Sequence, residues 1–187
     1  MSDLLGVVLS GGRSSRMGRD KSQLLHRSGV NFLRHACDRL HGITEQQIIV
    51  GGVHRIDGIE TIADPAEHQG PAIGVVTALE YASRNGFSAC LVTAVDLPNL
   101  TRDDLRTLIE FWQATPLCPA CATDPIDRKL QPLVAIYPTF HRLDLMRICH
   151  SPDRSLARWL PTALPVVVSM PTSSLRNVNR PEDLDDA

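Results

Sequence analysis

The chain predicts an α/β protein in three layers, with a mainly parallel sheet between helices, and three observations carry that reading. Short apolar runs closed by glycine, proline or aspartate alternate with segments of helical period, the pattern of successive βαβ crossovers. The first run, residues 4–9, passes directly into a glycine pair and a string of basic residues. A later run, residues 89–95, ends on Asp96. In an open sheet of this class, both features fall on the strand edge where ligands bind.

Taken in order, residues 4–9 form the first strand. A helix follows over 31–43, with Phe32, Leu33, Ala36, Leu40 and Ile43 on one face. Residues 47–50 form a second strand ending at Gly51-Gly52, and residues 60–63 a short third strand closed by Asp64-Pro65. Gly70 and Pro71 open a helix carrying Ile73, Val76 and Leu79, and Asn85-Gly86 stops it. After the strand at 89–95, Thr101 and Asp104 have the spacing of a capping box and start a helix with Leu105, Leu108, Ile109 and Trp112 facing inward. Strands near 119–122, 133–137 and 165–169, with helices near 139–149 and 155–160, complete the chain. One domain over 1–187 is expected, since a chain of this length buries about 70% of the surface exposed by its unfolded form.

The segment from Leu9 to Lys21 reads LSGGRSSRMGRDK. Glycines after a buried strand let the backbone turn sharply with several N–H groups aimed at an anion. Two better-known phosphate loops are excluded by the letters. A dinucleotide fingerprint counted from Gly11 meets Arg13 and Arg16 where glycine is required, and a Walker loop fails because Asp20, not glycine, precedes Lys21. The remaining density of positive charge suits a triphosphate being cleaved, where catalysis is positioning plus neutralisation of charge on oxygen. Leu9, Ser10, Gly11 and Gly12 are therefore candidate nucleotide contacts. Lys21 is the candidate point charge on the phosphates, and Arg16 the candidate forked contact.

Asp96 follows a continuous apolar strand, and a carboxylate there cannot enter the core unpaired, so it should project from the same edge as the loop. A hard oxygen ligand beside bound phosphates suits Mg²⁺, which takes one or two carboxylates, substrate phosphates and water. The competing role is capping of the next turn, since Asp-x-Pro is also good turn chemistry. Asp64 ends the third strand on the same edge and can accept hydrogen bonds from a ribose or base. It is equally a turn former before Pro65.

Composition excludes several functions. A net charge of −2 with acids and bases interspersed gives no extended nucleic-acid surface, and no stretch approaches a membrane span. Five cysteines, with no leader-like segment, read as a reduced, cytoplasmic protein. Cys118 and Cys121 have CxxC spacing, but no second pair or matching histidine pair completes a zinc site. No pair among the seven histidines has a spacing that suggests a dyad.

With these residues in view, the chain resembles the molybdenum cofactor guanylyltransferases, MobA-like nucleotidyltransferases of the Rossmann-like, nucleotide-diphospho-sugar transferase type. LSGGRSSRMGRDK is similar to their signature L-(A/S)-G-G-x-(S/A)-x-R-M-G-x-D-K, with Ser10 where alanine is commoner. Further similarity lies in Asp96-Leu97-Pro98, in Gly70-Pro71-Ala72-Ile73-Gly74, in the strand from Gln131 to Tyr137, in Arg154-Ser155-Leu156 and in the stretch from Asn177 to Leu184. The resemblance implies transfer of GMP from GTP to molybdenum-molybdopterin, releasing pyrophosphate, with Mg²⁺ on Asp96 and a nucleotide contact at Asp64. It points to Arg154, Asn177 and Asn179 as acceptor contacts, Asn179 being equally suited to cap the turn before Pro181. Gly51 stands where the family often has an asparagine that touches the nucleotide. Its backbone then takes over that contact, or base selectivity is looser. Alternatives within the fold are a cytidylyltransferase for the same pterin and a sugar-phosphate nucleotidyltransferase. From another class, the alternative is a GTP-binding regulator or delivery factor for molybdoenzymes. A monomer is expected, in transient contact with molybdoenzymes or their chaperones.

Overall fold

The computed structural model of the protein describes residues 3–11, 20–63, 70–151, 153–179 and 183. β1 (Leu4–Leu9) and β4 (Ala89–Ala94) are buried along their whole length and lie side by side, parallel, with Leu9 opposite Ala94. Around this pair the sheet runs β3 (Glu60–Ile62), β2 (Gln46–Val50), β1, β4, β6 (Leu130–Pro138), β5 (Ala120–Thr123) and β7 (Val166–Ser169).

The period-2 alternation of the strands divides the core. Leu4 and Val8 of β1 pack with Leu33 and Leu40 of α1 (Phe32–Leu40) and with Leu105 and Leu108 of α3 (Arg102–Gln113). Leu5, Val7 and Leu9 pack on the other face with Val75 and Leu79 of α2 (Pro71–Arg84), Leu145 of α4 (Arg142–Cys149) and Leu156 of α5 (Leu156–Trp159). These are the three layers expected from the sequence.

The capping box at Thr101 is present in both directions: the Asp104 N–H donates to Thr101 Oγ1 at 3.1 Å and the Thr101 N–H to Asp104 Oδ2 at 2.9 Å. α1 is shorter than its apolar period suggests. Asn31 caps it, accepting from the Arg34 N–H at 2.8 Å, and the chain turns out of the helix at Gly42, whose φ of 77° lies in the left-handed region. β6 departs from the parallel pattern. It runs antiparallel to both β4 and β5, so its beginning, rather than its end, meets the carboxyl end of β4.

This topology creates the site. β1 leads through α1 to β2 on one side, while the chain returns through α2, on the opposite face, to β4 on the other. The segments after β1 and β4 therefore diverge at a switch point, which leaves a crevice beyond their carboxyl ends.

Candidate functional site

At the β1 side of the crevice, the Ser10 N–H donates to the Val50 carbonyl at 2.9 Å and continues the ladder with β2. The amide of Ser10, one of the candidate contacts at the start of the loop, is thus spent within the sheet. Gly11 is exposed beyond it. Gly12, Arg16 and Asp64 lie outside the described residues.

Gly51 and Gly52 follow β2 with φ of 77° and 72°. A Cβ on Gly52 would lie 2.9 Å from Ser10 Oγ and 3.1 Å from the Ser10 carbonyl oxygen, so a bare backbone is required where this turn presses on the residue that follows β1. The Gly51 N–H donates to the Ile62 carbonyl at 2.9 Å. Of the two options at this position, a backbone N–H contact to the nucleotide is therefore closed. Gly74 serves packing: a Cβ there would come within 3.2 Å of Leu9 Cδ2, and its absence lets α2 lie close under the end of β1.

Lys21 begins a 3₁₀ turn, Lys21–Gln23, capped by Asp20, whose Oδ1 accepts from the Ser22 N–H at 2.9 Å. The other Asp20 oxygen lies 3.2 Å from His54 Nε2, tying this turn to the β2–β3 connection. From here Lys21 Nζ donates to Asp96 Oδ2 at 3.0 Å and to Asn179 Oδ1 at 2.8 Å. The two charged side chains are 17% and 21% exposed, enough shelter for their attraction to be stronger than that of a surface pair and enough access for a ligand.

Asp96 lies two residues beyond β4, and its carbonyl accepts from the Val178 N–H at 2.9 Å. That bond holds the 177–179 stretch over the site, anchored by Val178 against Phe32 and Leu24. Asn179 also donates its backbone N–H to Asp183 Oδ2 at 2.8 Å, while its side-chain oxygen is taken by Lys21.

Beside Asp96 opens a cleft of about 390 Å³, within the size range of small-molecule sites. Gln131 and Pro132, at the start of β6, form one wall, and Arg154 and Asn177 another. Arg158 pairs with Asp153 at 2.6 Å, so that carboxylate is engaged by a residue other than Arg154. The structure thus brings Lys21, Asp96 and Asn179 into contact and sets Asn177 and Arg154 along the adjoining cleft.

Among the described residues, no group of three or more His, Cys, Asp or Glu side chains could hold a metal unaided. The donor that the described residues offer here is the accessible carboxylate of Asp96, which fits a magnesium ion completed by substrate phosphates and water. Cys121 of the CxxC spacing is buried in β5, and burial pushes its thiol up to about 12. No helix among the described residues is long and apolar enough to cross a membrane.

Two further residues, absent from the candidates named from the sequence, hold this region. Arg39 of α1 is 5% exposed and donates to the carbonyls of Ala94, Leu97 and Leu100. Burial pushes its pKa down to about 10, against smaller opposing effects of Cys37, Asp104 and Asp96. His35, one turn earlier, has its Nε2 3.0 Å from the Pro98 carbonyl and its ring stacked on His26 with centroids 3.8 Å apart. The clue was an arginine within a turn of Ala36 and Leu40 on the apolar face of α1, where a charge needs partners.

Residues 6–168 match the MobA-like NTP transferase domain. A relative from Rhodopirellula baltica, described as a probable molybdenum cofactor guanylyltransferase, is 44% identical over 97% of this chain and 90% of its own. One from Nostoc, described in the same words, is 30% identical over 98% and 90%. Among solved structures, molybdopterin-guanine dinucleotide biosynthesis protein A from Archaeoglobus fulgidus superposes with a TM-score of 0.70 at 21% identity, covering 97% of this chain and 95% of that one. The CMP:2-keto-3-deoxy-manno-octonic acid synthetase complexed with CTP reaches 0.77 at 14% identity, covering 98% and 96%. At these identities the two structures attest the shared fold. The chain belongs to the MobA-like NTP transferases and is a nucleotidyltransferase of their molybdenum cofactor guanylyltransferase branch.

Proposed function

We propose that the protein transfers GMP from GTP to molybdenum-molybdopterin, releasing pyrophosphate and forming the guanine dinucleotide of the cofactor. The observation that carries this reading is the meeting of Lys21 and Asp96, from opposite sides of the switch point, at the mouth of a cleft bordered by Arg154 and Asn177. The names of the relatives support the choice of nucleotide and acceptor.

A phosphate oxygen of the acceptor attacks the α-phosphorus of GTP in line. A new P–O bond forms as the α–β bond breaks, and pyrophosphate leaves with the bonding electrons. The attacking phosphate is already ionised, so no general base is needed. Lys21, with Gly11, Gly12 and Arg16 of the loop, holds the charge that grows on the departing pyrophosphate. Asp96 holds Mg²⁺, which when bound supplies positive charge against the phosphate oxygens. Arg154 receives the acceptor's phosphate as a forked donor, and the amides of Asn177 and Asn179 orient the two substrates. Leu9, Ser10 and Gly51 shape the floor beneath the nucleotide, and Asp64 accepts from its ribose or base.

One domain over 1–187, working as a cytoplasmic monomer that passes its product to molybdoenzymes or their chaperones, completes the reading. Pyrophosphate release measured with each of the four nucleoside triphosphates, with and without molybdopterin, tests it. Turnover with GTP that requires molybdopterin is expected. Preference for CTP, a sugar phosphate as acceptor, or GTP binding without turnover would replace it with the corresponding alternative.

A further inference from the structure

The catalytic carboxylate is carried on a segment that belongs to no strand or helix, yet the backbone on both sides of it is held from beneath by α1. Arg39 donates to the carbonyl of Ala94, two residues before Asp96, and to those of Leu97 and Leu100 after it. His35 adds the carbonyl of Pro98. A carbonyl only accepts, so His35 Nε2 carries the proton and donates it toward Pro98. Four carbonyls around a single turn are thus drawn toward one helix face, while the fifth, that of Asp96 itself, accepts from Val178.

A buried guanidinium whose two terminal nitrogens donate to neutral carbonyls, with no facing carboxylate and no partner for its Nε among the described residues, is a costly way to fill a core position. Its donors are rigid and planar, so they fix the direction of each carbonyl they reach. The same helix also touches the other half of the site. His26 lies just after the Lys21 turn and stacks on His35, and Ser28 donates its N–H to His26 Nδ1 at 3.1 Å. The Phe32 N–H of α1 donates to the Leu24 carbonyl at 2.8 Å. α1 therefore grips the segment bearing Asp96 and the segment bearing Lys21 at once.

We propose that Arg39 and His35 are positioning residues for catalysis, holding the turn 94–100 so that the Asp96 carboxylate faces Lys21 and the cleft. This rests on the reading of Asp96 as the carboxylate that meets the metal and phosphates.

The test uses the full chain with Arg39→Lys, His35→Ala, His35→Gln and, in parallel, Asp96→Asn. Thermal melting establishes that each variant is folded. If Arg39→Lys does not fold, the His35 pair carries the test, since glutamine can restore a donor toward Pro98 and alanine cannot. At saturating GTP and acceptor, Arg39→Lys and His35→Ala are expected to lower kcat at least tenfold. They should also raise the Mg²⁺ concentration for half-maximal rate several-fold, with KM for GTP within twofold of the parent. His35→Gln should recover most of the loss. Folded variants with parental kcat and Mg²⁺ dependence would overturn the proposal, as would a loss that the glutamine variant does not relieve. Crystal structures of the variants separate this from a failure of the reading beneath it. If Asp96→Asn turns over normally, the role given to Asp96 falls, and the positioning claim is decided by the Lys21–Asp96 separation: kept at 3.0 Å it is overturned, opened beyond ion-pair distance it stands.

Discussion

Lys21 and Asp96 are separated by 75 positions in the chain and joined by a 3.0 Å ion pair. One follows the loop after β1, the other follows β4, and the parallel pairing of those two strands makes the contact possible. An ammonium suited to phosphates and a carboxylate suited to a metal are thereby brought together at one point on the sheet edge.

Replacing Lys21 by alanine removes a charged donor from the triphosphate. The affinity for GTP, measured by titration calorimetry in the presence of Mg²⁺, is expected to fall by about 1.5–3 kcal/mol, roughly ten- to hundredfold. An unchanged dissociation constant would take Lys21 out of the site.

Asn179 Oδ1 accepts from the Lys21 ammonium at 2.8 Å, so its loss should reach the nucleotide partly through Lys21, beside any contact of its own with the substrates. Asn179→Ala should weaken GTP binding by a smaller amount. Combined with Lys21→Ala in a double-mutant cycle, it should show a coupling of about 1 kcal/mol. Strict additivity would mean that the two residues contact the nucleotide independently.

Much of this arrangement is readable in the letters, and what is not has physical reasons. The capping box at Thr101 and Asp104 is a local device, so four residues suffice to announce it. β1 and β4 declare themselves by unbroken apolar runs, and the residues after them by the need of charge to leave the core. The direction of β6 is different in kind, because an apolar run reads the same whether the strand is parallel or antiparallel. The meeting of His26 with His35, nine residues apart across a turn, has no periodic signature. The buried role of Arg39 depends on carbonyls some 60 positions away that no pattern in α1 encodes. The commitment of the Ser10 and Gly51 amides to the sheet is equally a tertiary fact.

Gly52→Ala would place a side chain on a backbone with φ of 72° and drive its Cβ to 2.9 Å from Ser10 Oγ. The left-handed conformation alone costs about 1–2 kcal/mol. A lowered urea midpoint together with weaker GTP binding is expected. A stability loss with intact binding would show that this turn supports the fold and not the loop.

Burial, followed by the charge of Arg39 and the ring of His26, pushes His35 down from 6.5 to about 4. Above pH 6.5 the residue is neutral in both the folded and unfolded chain and adds nothing to the pH dependence of stability. Between 6.5 and 4 the unfolded chain takes up the proton first, so stability falls as the medium is acidified. Its share is about 2 kcal/mol by pH 4, allowing for partial exposure. His26, lowered chiefly by burial, acts in the same direction. Urea unfolding at pH 7.5 and 4.5 should show a smaller acid loss for His35→Gln than for the parent chain. Equal losses would contradict the assignment.

The central claim is that Asp96 meets the metal-bound phosphates during transfer, and the rate of pyrophosphate release from GTP by Asp96→Asn, with molybdopterin and Mg²⁺ present, tests it most directly. The account predicts that release is abolished while binding of GTP remains measurable. Release at the parental rate would contradict it.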